Sequence, residues 1–303
     1  MSDKREVLGR IKSVKDTMKI TSAMYMISSV KLRRARQAMT GTEPYFLSLQ
    51  HMIGRMLFEA PNVHHRYFDP KTEKPVSERK AGCVVITGDK GLAGAYNHNV
   101  LKLVQKQLDK RGSARLFVMG EMGRHYFMAR KTPIESDFQY SVENYSLRLA
   151  RTIAAMLMDL YNTGELDEIY LAYTQLVRGM TAEAKLIKVL PLKEEDFPYN
   201  PEETTQKELF NFHPSVSAVM DAVVPDVLSG MIYGAFVESY CSEQNCRMMA
   251  MKAANDSAKE MLSDLSLMYN RIRQAQITQE ITEVAGGAKA QKRKKTDPRR
   301  VEP

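Results

Sequence analysis

Cysteine is scarce in this chain, with Cys83, Cys241 and Cys246 the only three among 303 residues. Three are too few for a disulfide framework, and Cys83 sits in an apolar run, so a reducing compartment is expected. The six histidines, His51, His64, His65, His98, His125 and His213, fall at no metal-ligand spacing, which excludes a zinc centre, and no metal site is expected. No Ser or Cys stands in a G-x-S-x-G elbow, so the chain offers no catalytic residues and catalysis by it alone is not expected. The amino end, MSDKREVLGR, has neither an apolar signal core nor the acid-free character of a transit peptide, which points to a bacterial-type cytosol. Long apolar runs are missing too. Charged residues recur every few positions, and nothing approaches the roughly 18 apolar residues of a membrane span.

Glycine and proline are absent from the interiors of two long stretches, Gly9 to Gly41 and Gly234 to Gly286. Both carry an apolar repeat in alternating steps of three and four, the spacing of a coiled-coil seam. The first seam reads Val7, Ile11, Val14, Met18, Thr21, Tyr25, Ser28, Leu32, Ala35 and Met39. The second reads Met251, Ala254, Ala258, Met261, Leu265, Met268, Ile272 and Ala275. A generic helical bundle produces similar stripes, but helices of roughly 46 and 76 Å cannot bury them inside a small globule. Antiparallel pairing of large against small residues sets Val7 with Leu265, Ile11 with Met261, Val14 with Ala258, Met18 with Ala254 and Thr21 with Met251. In that register Met1 reaches about Arg271. Ile272 onward projects as a single helix that is polar all round.

The chain is 44% hydrophobic and 26% charged, an ordinary globular balance. Its net charge of +8 invites a nucleic-acid reading. That reading weakens, because the segment from Lys289 to Pro303, with seven basic and two acidic residues, supplies most of the excess. No aromatic residue accompanies the tail for base stacking, and a charge-dense, Pro-containing end over 288–303 reads as a disordered tail. No nucleic acid is expected as a partner.

Between the long helices, short strand patterns at Cys83 to Thr87, Arg115 to Met119, Asp167 to Thr174 and Ala182 to Leu190 alternate with helical ones. The helical patterns start near Ala95, at Glu121 and at Val142. This alternation predicts a small doubly wound α/β domain over 75–190. It is flanked by Pro- and charge-rich linkers, Pro61 to Lys80 and Pro191 to Lys207, both read as exposed loops.

The turn Gly88-Asp89-Lys90-Gly91-Leu92-Ala93-Gly94 follows a strand and opens a helix, the place where backbone N–H groups can hold a phosphate. Its G-x-x-G-x-x-G spacing matches neither the dinucleotide nor the Walker pattern, and no acidic residue stands about 20 positions on. A tight strand-to-helix turn is the better reading, with no cofactor.

Three ordered motifs carry a specific resemblance. Val14-Lys15-Asp16-Thr17, Ile20-Thr21-Ser22-Ala23-Met24 and Lys31-Leu32-Arg33-Arg34-Ala35 form the first, and Val85 to Gly94 the second. Arg247 to Ala254, continued by Tyr269 to Ile281, forms the third. Together they resemble the signatures of the gamma subunit of F-type ATP synthase. The resemblance implies α/β plus a long antiparallel α-helical coiled coil. Residues 1–60 and 214–287 would form the shaft, a Rossmann-like domain lie beside it, and 191–213 be a loop and foot linker. Departures from the family pattern are Ser22 and Tyr25, where Lys is usual, His213 in place of an acid, and the basic tail.

What the resemblance implies is a non-catalytic central-stalk rotor, coupling ion-driven rotation of a membrane ring to conformational cycling in an alpha/beta hexamer. Its implied partners are the alpha and beta subunits, an epsilon-type small rotor subunit and the membrane c-type ring, at the cytoplasmic face of a bacterial membrane. Arg273, Gln274, Thr278 and Met24 would contact the catalytic head, and Phe210, Phe212 and His213 would form the rotor foot. The seam residues Val7, Ile11, Val14, Met18, Met251, Ala254, Ala258, Met261 and Leu265 would hold the shaft. The alternative is another coiled-coil scaffold with a non-catalytic Rossmann-like domain.

Overall fold

In the computed structural model, residues 2–61, 64–68, 75, 78–111, 114–177, 181–200 and 212–295 are described. Two helices frame the chain, α1 (Ser2–Glu59) and α5 (Val216–Lys295). Between them lie β1 (Ala81–Ile86), α2 (Tyr96–Arg111), β2 (Arg115–Met119), α3 (Glu121–Ala129), α4 (Leu147–Asn162), β3 (Glu168–Val177) and β4 (Thr181–Leu190). α1 passes through Pro44 and α5 through Pro225. Each proline removes one backbone donor, and the carbonyl of each accepts a hydroxyl one turn on, from Ser48 at 2.9 Å and Ser229 at 2.7 Å. α5 runs to Lys295, so the part of the expected tail over 288–295 is helical, built from the good helix formers Ala, Gln, Lys and Arg. Residues 296–303 lie outside the described ones.

The sheet order is β2-β1-β3-β4, with β1 parallel to both neighbours and β4 antiparallel to β3. Alternate residues of each strand point to opposite faces, and each face has its own core. Cys83, Val85, Leu116, Val118 and Ala172 pack with Val100, Leu101 and Val104 of α2 and Phe127 of α3. Val84, Ile86, Phe117, Met119, Ile169 and Leu171 pack with α4 and with the inner lengths of α1 and α5, including Leu32, Ile53, Met56, Val224, Ile232 and Phe236.

The contacts divide the chain into residues 26–250 and a second compact unit of 1–25 with 251–303. The inner lengths of both long helices therefore belong with the sheet rather than with a separate shaft over 1–60 and 214–287. α5 also corrects the expectation about apolar runs, since it is long and apolar enough in one stretch to cross a bilayer. Its first half is the part that lines the core, with Met220, Val224, Val227, Leu228, Ile232 and Phe236 all buried, which is how a core helix passes that test. The linkers are not simply exposed loops either. Tyr67, Leu192 and Phe197 are buried, and the Leu192 amide donates to the Tyr67 carbonyl at 2.7 Å.

Candidate functional site

In the unit formed by 1–25 and 251–303, α1 turns Val7 fully inward and Ile11, Val14, Met18 and Thr21 partly so. On α5 the inward residues are Met251, Asn255, Ala258, Leu262, Leu265, Tyr269, Ile272 and Gln276. Ala254 is exposed, and Met261 and Met268 are each 52% exposed. The expected and observed α5 seams share Met251, Ala258, Leu265 and Ile272, but the step after each is four rather than three. Thr21 faces Asn255 through a short side-chain hydrogen bond, and Asn255 Nδ2 donates to Ser22 Oγ at 3.1 Å. The pairing is thus displaced by one helical turn from Thr21 opposite Met251. Counting apolar residues selects Ala254 over Asn255, whereas in the folded helices two hydroxyls satisfy the Asn255 amide. Lys4 lies over the Tyr269 ring at 5.9 Å, a cation–π contact that helps tie the amino end down.

Arg273, Gln274 and Thr278 are exposed, and Met24 is half-buried. The Thr278 hydroxyl donates to the Gln274 carbonyl at 2.9 Å. Lys4, Arg5 and Leu8 line one crevice with Gln276, Gln279, Glu280 and Glu283, so the amino end accompanies α5 beyond Arg271, further than the expected register allows. The region is also not polar all round. Ile277, Ile281 and Val284 are exposed at 47%, 64% and 74% and follow i, i+4, i+7 spacing on one helix face. That spacing was available in the sequence, but the neighbouring Gln, Thr and Glu residues obscured it.

The second and third signature motifs meet around the Gly88–Gly94 turn. Gly88 accepts a backbone bond from Met122 and donates to Asn97 Oδ1 at 2.9 Å, while Asp89 receives the Glu121 amide that opens α3. Arg247 of α5 reaches the turn, donating to the carbonyls of Lys90 at 3.3 Å and Gly91 at 3.2 Å. The same guanidinium holds the Glu243 carboxylate at 2.5 Å, and both side chains are buried. A Cβ on Gly88 would stand 2.9 Å from Glu243 Oε1, so a larger residue there would push the carboxylate out of its present place. Burial pushes the Glu243 carboxyl up and the Arg247 charge opposes the shift. Beside them Glu143 accepts from Lys31 at 3.1 Å with Lys90 at 3.9 Å, and the Lys31 hydrogen bond is the main cause holding its carboxyl below the usual range. The turn's groups are engaged in internal contacts, the arrangement of a docked structural turn.

Phe210 lies outside the described residues. Phe212 is half-buried against the core rather than freely exposed, and His213 is exposed. Among the described residues no group of three His, Cys, Asp or Glu could hold a metal ion.

The ATP synthase family model matches residues 3–291. The chain is 40% identical over 291 residues to the ATP synthase gamma chain of Ruminiclostridium cellulolyticum, covering 94% of this chain and 98% of that one. It is 37% identical over 300 residues to a sodium ion specific gamma chain of Acetobacterium woodii, with the same 94% and 98% coverage. Among solved structures, it is similar in fold to a chain of the Euglena gracilis mitochondrial ATP synthase assembly of OSCP, F1 and c-ring. The TM-score there is 0.65 at 16% identity, covering 100% of this chain and 99% of that one. A chain of the Tetrahymena thermophila central stalk and c-ring aligns at TM-score 0.56 and 22% identity, covering 78% and 99%.

Proposed function

Because the chain belongs to the ATP synthase gamma chain family, we propose that its head-facing end is the face of α5 around Arg273, Gln274 and Thr278, with Met24 of α1 a separate contact further along the paired helices. The chain is the central-stalk rotor subunit of an ATP-synthesising complex associated with a membrane, and couples ion-driven rotation to the conformational cycle of the catalytic sites. The observation that carries the site assignment is the exposed stretch of α5 in which Arg273, Gln274 and Thr278 stand beside an apolar ridge of Ile277, Ile281 and Val284. Such a surface needs an enclosing partner, and polar groups interleaved with the ridge let contacts break and reform during rotation.

The partners in this reading are an alpha/beta hexamer around the exposed end, an epsilon-type small subunit and a c-type ring at the foot of Phe210, Phe212 and His213. The complex sits on the cytoplasmic face of a bacterial membrane. The subunit itself carries no catalytic group in this reading; the packed Gly88–Gly94 turn supports that. Co-purification is the test: a tagged full-length chain brings down a nucleotide-binding hexamer with ATPase activity, and its recovery alone under assembling conditions rejects the reading.

A further inference from the structure

The outer helices of the α/β unit are strongly basic. α2, α3 and the two residues after α3 hold seven basic residues against two acidic ones, Asp109 and Glu121. That is the same balance as in the segment from Lys289 to Pro303, so the tail is not the only seat of the positive charge. His98, Lys102, Lys106 and Lys110 follow one another at four-residue steps along α2, and all four are exposed. The row is about 18 Å long at roughly 1.5 Å per residue. On the inner side of α2, Val100, Leu101 and Val104 are buried in the core. Among the described residues the three lysines have no ion-pair partner. Asp109 accepts from Gln105 at 2.9 Å instead, and Glu121 lies 3.7 Å from His125.

Like charges four residues apart on a helix repel one another, and an anionic partner relieves that cost. Each step of four residues turns the row by about 40° round the helix, so the lysines fan out and do not form a straight track for one acidic helix. Lysine ammonium groups act as separate point charges without the planar fork of arginine, and α2 exposes no aromatic residue on which a base could stack. A diffuse sheet of negative charge suits this arrangement, since each lysine close to it adds to binding without a fixed register. α3 packs on the same core through Phe127. It adds Met128, 61% exposed, and Arg130, whose guanidinium lies 3.8 Å from the centre of the Tyr126 ring.

We propose that the outer face of α2 and α3 binds the anionic headgroups of a lipid surface, with Lys102, Lys106 and Lys110 as its main contacts. It holds the free chain at the membrane on which its complex is built. The inference rests on the membrane association of that complex and is independent of the residues assigned to the catalytic head.

The test is co-sedimentation of the full chain with vesicles of phosphatidylcholine alone or mixed with phosphatidylglycerol. The expected result is saturable binding to the mixed vesicles only, lost as ionic strength rises from about 0.05 M to about 0.5 M. Lys102→Glu with Lys106→Glu and Lys110→Glu weakens binding at least about tenfold; should that variant not fold, the same three changed to Gln decide, with a loss in the same direction. Arg293→Glu with Lys294→Glu and Lys295→Glu, the control for the tail, leaves most of the binding. Equal binding to both kinds of vesicle, no binding at the lower ionic strength, binding unchanged in the α2 variants, or binding removed by the tail variant would overturn the proposal. Tighter binding of a DNA duplex than of the mixed vesicles would overturn it too. Vesicle binding is read on the chain alone, so it holds or fails separately from co-purification with a hexamer.

Discussion

Thr21 on α1 and Asn255 on α5 meet side chain to side chain, a polar pair in a mostly apolar seam, with Ser22 taking a second hydrogen bond from the same amide. A polar pair of this kind costs some stability and favours this register, because only here does Asn255 meet two hydroxyls, those of Thr21 and Ser22.

The pair predicts where cross-links form. With the same offset, Met18 stands opposite Ala258 and Val14 opposite Leu262. Cysteines introduced at Met18 and Ala258 in a chain lacking its native thiols should form a disulfide readily, and cysteines at Met18 and Ala254 should not. Gel mobility under oxidising and reducing conditions reads the outcome. Efficient linkage of the 18–254 pair alone would restore the register one turn away.

Much of the fold was legible in the sequence, and the exceptions have physical causes. The strands starting near Cys83, Arg115, Asp167 and Ala182 announce themselves through short apolar or alternating runs, and each observed strand covers the expected core. The α1 seam from Val7 to Leu32 is legible because its inward positions are mostly apolar. The α5 seam misleads because Asn255 is inward and Ala254 outward, a choice made by a partner about 230 residues away in the chain rather than by local hydrophobicity. Tyr67 and Phe197 were hidden within linkers whose overall composition is polar, and burial of single aromatics leaves no periodic signal. The clasp of Arg247 on the Gly88–Gly94 turn was equally invisible, since the motifs are read separately and only the fold joins them.

Breaking that clasp should be costly. Arg247→Ala leaves Glu243 buried without its charge partner, and removal of one member of a buried pair costs about 3–5 kcal/mol. The double variant Arg247→Met with Glu243→Leu removes both charges and should recover a substantial part of the loss. Urea unfolding midpoints for the three chains measure it. A single variant as stable as the parent would show that the ion pair is not what holds the turn.

The acid side of the stability profile depends on Glu143. Its carboxyl is held low chiefly by the Lys31 hydrogen bond, so its contribution is fully present above the ordinary carboxylate range and is lost as pH falls through its folded value. Glu243, pushed up by burial, works in the opposite sense: its contribution is fully present below the ordinary carboxylate range and is lost as pH rises through its raised folded value. Lys31→Met should therefore flatten the fall in unfolding midpoint below about pH 4.5 without steepening any loss near neutrality. An acid limb unchanged in that variant would remove Glu143 from the account.

At the exposed end, Arg273→Ala with Gln274→Ala should lower ATP turnover of the reconstituted complex while assembly and nucleotide binding persist. Charge-assisted hydrogen bonds of this type contribute about 1.5–3 kcal/mol, enough to bias one conformation of a catalytic partner and not enough to hold the assembly together. Steady-state turnover and size-exclusion profiles together separate the two effects. Dissociation of the complex would assign these residues to assembly instead.

The rotor assignment itself is tested most directly by watching the chain turn. His125 on α3 offers an exposed attachment point with 76% of its side chain accessible, while Cys83 and Cys241 are buried. With the catalytic hexamer fixed to a surface and a bead tethered through His125→Cys, ATP should drive continuous rotation in one direction. ATP hydrolysis at the normal rate with the bead stationary, or moving without preferred direction, would contradict the account.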